Sequence, residues 1–102
     1  MIGIDITQIS RFANKEERFA KKILHPSEME EFNNSTNKTR FIATRWAIKE
    51  ALYKVDNSYF EFSKVNIKKS KELYLFKDFS ISTSSEQDIT IAIVQKEKKC
   101  QC

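Results

Sequence analysis

Glycine and proline occur once each in the 102 residues, too few to make the turns a chain of this length needs. The turns are therefore assigned to polar clusters such as Asn33-Asn34-Ser35 and Asp56-Asn57-Ser58, whose short side chains bond their own backbone. Histidine also occurs once. His25 stands before Pro26-Ser27-Glu28, a helix start with proline first and acid in the opening turn, so it reads as a cap and not as a catalyst. The two cysteines, Cys100 and Cys102, lie alone in the charged tail KEKKCQC. A lone C-x-C without histidine or further cysteine is a poor zinc site, and it implies reduced thiols at a frayed end. No apolar run approaches the ~20 residues of a membrane span, and the N-terminus lacks the charged-then-apolar layout of a signal peptide. A cytoplasmic protein without a membrane partner is expected. Repeats, linkers and low-complexity segments are absent, so residues 1–102 read as one domain.

With 40% hydrophobic and 31% charged residues, the balance is that of an ordinary globular protein, which excludes wholesale disorder. The eight phenylalanines point to a core built largely on aromatic area. The formal charge of +4 suits an acidic partner, whether nucleotide, nucleic acid, acidic protein or anionic surface, without choosing among them.

Along the chain, Ile2, Ile4 and Ile6 alternate with Gly3, Asp5 and Thr7. That period of two predicts a strand with its isoleucines inward and Asp5 on the opposite face. Asp is depleted in strands, so its position suggests either a simply wet outer face or a ligand held on a rigid element. Arg11 to Leu24 reads as one helical stretch, with Phe12, Phe19 and Ile23 on one face and Arg11, Lys15, Arg18, Lys21 and Lys22 on a cationic side. A short helix follows Pro26, and Asn33 to Asn37 supplies a break and a cap. Beyond Val55, extended segments are predicted at Tyr59–Ile67, Leu73–Phe76, Phe79–Thr83 and Ile89–Val94. The result is an α+β fold, helices packed on an antiparallel sheet.

The longest periodic stretch is Phe41 to Val55, containing RWAIKEALYKV. Phe41, Ala47, Ile48, Ala51, Leu52 and Val55 share a stripe at helical spacing. Opposite lie Ala43, Trp46, Glu50 and Lys54, with Glu50 and Lys54 as i, i+4 neighbours. The alanines are expected to leave room for a group approaching the carboxylate.

Three blocks, GIDITQISRF, RWAIKEALYKV and FSISTSSEQDITIAIV, resemble those of the holo-acyl-carrier-protein synthases, small bacterial 4′-phosphopantetheinyl transferases. The similarity extends over essentially the whole chain in order, spacing and length. It implies that the chain transfers the phosphopantetheine arm of coenzyme A to a serine of apo-acyl carrier protein, releasing 3′,5′-ADP with the help of Mg²⁺. It also implies a homotrimer with active sites between subunits. By the same resemblance Asp5 and Glu50 are metal ligands, and Glu50 and Lys54 are catalytic. Arg45, Lys49, Lys54, Ser82 and Thr83 contact coenzyme A, while Arg11, Arg18, Lys21 and Lys22 grip the acidic carrier protein. Three departures stand out. Thr83 replaces the family histidine, so any role of that histidine as base passes to a metal-bound water or to Glu50. Asp56 to Tyr59 replaces a glycine-rich loop, and the segment between Lys68 and Phe79 is short. Two other readings fit parts of the pattern: a degenerate homologue that binds coenzyme A or carrier protein without catalysis, and a small basic nucleic-acid-binding module.

Overall fold

The computed structural model describes residues 1–15 and 17–97. The Cys100 and Cys102 readings lie outside these residues. Strand β1 (Ile2–Gln8) runs into a 3₁₀ turn (Ile9–Phe12), followed by helices α1 (Glu17–Ile23), α2 (Pro26–Asn33) and α3 (Lys38–Val55). A second 3₁₀ turn (Phe62–Lys64) leads to strands β2 (Lys68–Ser70), β3 (Leu73–Leu75), β4 (Phe79–Glu86) and β5 (Ile89–Lys96). The main sheet is antiparallel in the order β1-β5-β4, and β2-β3 form a separate hairpin. This is the expected α+β layering of helices on an antiparallel sheet.

Helix α3 is the axis of the molecule, and it is buried almost all round rather than along one stripe. In its first half, Ile42 and Ala43 enter a helical core with Phe12, Ala20, Ile23, Leu24 and Phe32. In its second half, Ala47, Ile48, Ala51 and Leu52 pack on the sheet side with Val65, Ile67, Phe79, Ala92 and Val94. Ala43 and Ala47, expected to leave room for a ligand, are instead fully enclosed. Small residues there let neighbouring elements close on the helix from both sides. Both predicted caps form. The His25 ring accepts from the Ser27 amide at 3.1 Å while its own amide donates to Glu28 at 2.9 Å. Asn37 accepts from the Arg40 amide at 3.1 Å.

Three further expectations fail. The stretch from Arg11 to Leu24 is not one helix, because Asn14 takes a left-handed conformation (φ 65°) between the 3₁₀ turn and α1. The Tyr59–Ile67 segment holds a 3₁₀ turn and otherwise irregular backbone, not a strand. Tyr59 and Phe62 pack against the two cores without any ladder partner, and Phe60 stands exposed. The third failure concerns which way β1 faces. Ile2, Ile4 and Ile6 are 61%, 54% and 62% exposed, and Gly3, Asp5 and Thr7 face α3. The cause is the close approach of the two elements: a Cβ on Gly3 would stand 2.0 Å from the Ala51 carbonyl oxygen and 2.8 Å from a Val55 methyl. Only glycine fits that crossing, so the row containing it must be the inner one.

Candidate active site

The inversion of β1 delivers Asp5 to the side of α3. There Glu50 and, one turn further on, Lys54 meet it. The Lys54 ammonium donates to the Ile4 carbonyl at 2.7 Å and to the Asp5 carboxylate at 3.4 Å. Burial pushes the Asp5 carboxyl above its ordinary range, and Lys54 and then Arg11 pull it back only in part. Burial likewise pushes Glu50 up, the negative charge of Asp5 adds to the rise, and Lys54 and Arg11 oppose it. Two half-buried carboxylates that repel one another across an open side form a site that favours a cation.

Arg11 reaches this site by a route the sequence concealed. Asp88, in the β4–β5 turn, holds the 3₁₀ segment in place. It accepts from the Ser10 amide at 2.8 Å and the Ser10 hydroxyl at 2.5 Å, and its carbonyl accepts from the Ile9 amide at 2.8 Å. The Arg11 guanidinium then lies over the Trp46 ring, 5.6 Å from its centroid. It is thus set apart from Arg18, Lys21 and Lys22, which stand exposed on α1. No local signal links Asp88 to Ser10, because they are 78 positions apart.

The remaining predicted residues divide. Ser82 and Thr83 are adjacent on a strand and so point to opposite faces. Thr83 is half-buried on the inner face, in the cross-strand row Asp5–Ala92–Thr83. Two strand spacings put it roughly 10 Å from Asp5. Ser82 is exposed on the outer face, opposite Ile93.

Arg45 and Lys49 are not available to a phosphate in this structure. Both are buried and bound to the buried carboxylate of Glu28: Arg45 through Nε at 2.9 Å, Lys49 through its ammonium. Arg45 also bonds Glu31 at 2.8 Å and is stacked between the Phe41 and Tyr74 rings. Lys49 donates further to the Ile23 and Phe62 carbonyls at 2.7 and 2.9 Å. Burial draws its ammonium down to about 8, against the pull of Glu28. The motif's basic residues were expected to contact coenzyme A, but Arg45 and Lys49, i, i+4 neighbours on one face of α3, both turn inward to Glu28 on α2.

Beside Glu50 opens a cleft of about 520 Å³, lined by Ile23, Trp46, Tyr53, Phe60 and Phe62 among others. The loop that replaces the expected glycine-rich one is held by other means. Asp56 accepts from the Ser58 amide at 3.0 Å and hydroxyl at 2.7 Å. Tyr59 packs edge-on against Phe76 and Phe79, with centroids 5.2 and 5.9 Å away. Among the described residues, no group of three or more His, Cys, Asp or Glu side chains converges, and no helix is long and apolar enough to cross a membrane.

Residues 1–102 match the model of the 4′-phosphopantetheinyl transferase superfamily. The holo-[acyl-carrier-protein] synthase of Mycoplasma mobile is 54% identical over 99 residues, covering 97% of this chain and 91% of that protein. The synthase of Mycoplasmopsis pulmonis is 50% identical over 96 residues, covering 94% and 89%. Among solved structures, the Helicobacter pylori synthase in complex with coenzyme A superposes with a TM-score of 0.73 at 29% identity, over 92% of this chain and 97% of that one. By this full-length match in sequence and fold, the chain belongs to the 4′-phosphopantetheinyl transferase superfamily.

Proposed function

We propose that this chain is a holo-acyl-carrier-protein synthase that transfers the phosphopantetheine arm of coenzyme A to a carrier-protein serine at Asp5, Glu50 and Lys54. The observation that carries the site is the meeting of two desolvated carboxylates with one lysine on an open surface. Serine Oγ attacks the phosphorus that bears the pantetheine arm. The bond from that phosphorus to the bridging oxygen breaks, and 3′,5′-ADP departs with the electron pair. Glu50, beside Asp5 and Lys54 at the mouth of the cleft, is the group placed to take the serine proton. Lys54 and Arg11 offer positive charge where the pyrophosphate becomes more negative.

The donor set fits Mg²⁺, a hard cation commonly held by one or two carboxylates together with substrate phosphate. Asp5 and Glu50 would hold it. When bound, the ion neutralises and orients phosphate oxygens.

Arg18, Lys21 and Lys22 form the face offered to the acidic carrier protein, since all three are exposed on α1 and Lys22 reaches the cleft. A homotrimer accounts for the outer sheet face. Ile4 pairs with Ile93 and Ile6 with Ile91 across β1 and β5, which makes a continuous apolar surface around exposed Ile2, Ile4, Ile6 and Ile93. Ser82 borders that surface, so in a trimer it lies near a subunit boundary. Location in the cytoplasm is part of the same reading.

The test is mass spectrometry of apo-carrier protein incubated with coenzyme A and Mg²⁺. A phosphopantetheine mass gain is expected, and carrier protein that binds without gaining mass would mark a degenerate homologue. For the assembly, Ile4→Lys should convert a trimer to a monomer in analytical ultracentrifugation. A monomeric wild type would overturn the homotrimer.

A further inference from the structure

We infer that Lys49 is a positioning residue whose buried ammonium pins the end of α1 and the Phe62–Lys64 turn to α3, setting the walls of the cleft beside Glu50. This rests on the transferase reading above. An ammonium has three donors, and here each has an acceptor: the Ile23 carbonyl at 2.7 Å, the Phe62 carbonyl at 2.9 Å and the Glu28 carboxylate. The side chain is wholly buried, so no solvent competes for these bonds. Ile23 is the last residue of α1 and Phe62 the first of the turn. At a helix end the final carbonyls lack partners within the helix, and a cation there satisfies one of them. Both residues also line the cleft, together with Trp46, Glu50 and Phe60.

The geometry has a consequence for the reaction. Lys22, beside Ile23, stands at the rim of the cleft and continues the basic face of α1. Glu50 follows Lys49 directly in α3. One side chain therefore spans from the surface offered to the acidic partner to the backbone that carries the reacting carboxylate. Stability alone would not require a lysine here, since a buried ion pair replaced by neutral groups of similar shape is often no less stable. What apolar packing would not supply is a fixed distance from Glu50 to the α1 face, because it has no directional bonds to the two carbonyls.

The test is Lys49→Met, which leaves Glu28 paired with Arg45 so that no buried charge is stranded, with kinetics read at a temperature where the variant is folded. Its kcat/KM for carrier protein is expected to fall about 10–100-fold, the scale of a small misplacement of reacting groups. The fall should lie mainly in KM for carrier protein, with KM for coenzyme A changed less than about twofold. Wild-type kcat/KM in the folded variant, or equal rises in both KM values, would overturn the inference. If Lys49→Met does not fold, Lys49→Gln takes its place and the same split in KM decides. If wild type itself transfers nothing, the transferase reading fails, and Trp46 fluorescence then reports on the cleft. Red-shifted emission in the variant is expected, and unshifted emission in a folded variant overturns the pin.

Discussion

Helix α3 carries two charged clusters about a turn apart, built from the same residue types and put to opposite uses. Toward its N-terminal side, Arg45 and Lys49 close on Glu28, where carboxylate and carbonyl oxygens occupy their donors and none of the three side chains is more than 2% exposed. Toward its C-terminal side, Glu50 and Lys54 meet Asp5, where the one ammonium is bonded to Asp5 and acts on Glu50 only through its field, and that lysine is half-exposed. The first cluster is saturated by the protein itself and holds three helices together. The second has charge left over and faces solvent. Whether a charged residue of this motif is structural or functional is thus set by how many of its bonds the fold already satisfies, and not by its type.

This contrast can be broken most severely from the saturated side. Glu28→Ala leaves Arg45 and Lys49 buried without their shared anion. A stability loss of about 3–5 kcal/mol is expected in denaturant unfolding. A loss under about 1 kcal/mol would show that the cluster is relaxed by water and not saturated.

Glu50→Gln should do the reverse. Transfer should fall by about 10²–10³-fold or more, the scale of removing one principal electrostatic group, while stability stays level or rises. The sign follows from the raised carboxyl. Because the folded state disfavours the Glu50 anion, its contribution to stability declines as pH rises from the unfolded-state value through the folded one. At neutral pH a neutral amide escapes that cost. The same raised carboxyls predict that Asp5 and Glu50 titrate above the ordinary carboxylate range by NMR of the metal-free protein, and values at or below that range would contradict the desolvated site.

Gly3→Ala tests what brings the open cluster together. The added Cβ meets backbone, which cannot swing aside, so a loss of at least about 1–3 kcal/mol is expected from calorimetry. Activity should fall further than stability alone explains, because Asp5 moves with the strand. Thr83→Ala should cost less, about tenfold in rate through one lost hydrogen bond to phosphate. Thr83→His should tighten coenzyme A binding more than it raises the rate at saturation. Loss of all activity in Thr83→Ala would make the hydroxyl essential and extend the open cluster across the sheet. The smallest effect is expected at the surface. Arg18→Glu should raise KM for carrier protein several-fold and flatten its salt dependence, and an effect confined to coenzyme A would reassign that face.

Much of this protein was legible in its residues. Period-two alternation marked β1, β4 and β5, the 3.6 period marked α3, and His25 and Asn37 announced their caps, because such patterns depend on neighbours in sequence. The placing of Glu50 and Lys54 on one side of α3 and the presence of Asp5 on a rigid strand were readable for the same reason, whereas the bond Lys54 makes to Asp5 was not. Tertiary structure decided the rest. Alternation says that isoleucines and Asp5 occupy opposite faces of β1 but not which face is inside, and the contact of Gly3 with the Ala51 carbonyl settled that. Spacing put Arg45 and Lys49 beside Glu50 in sequence, yet Glu28 took both of them inward. Arg11 left the cationic helix because Asp88, from the far end of the chain, anchored the turn that carries it. In each case the deciding contact joins residues distant in sequence, so no local pattern could encode it.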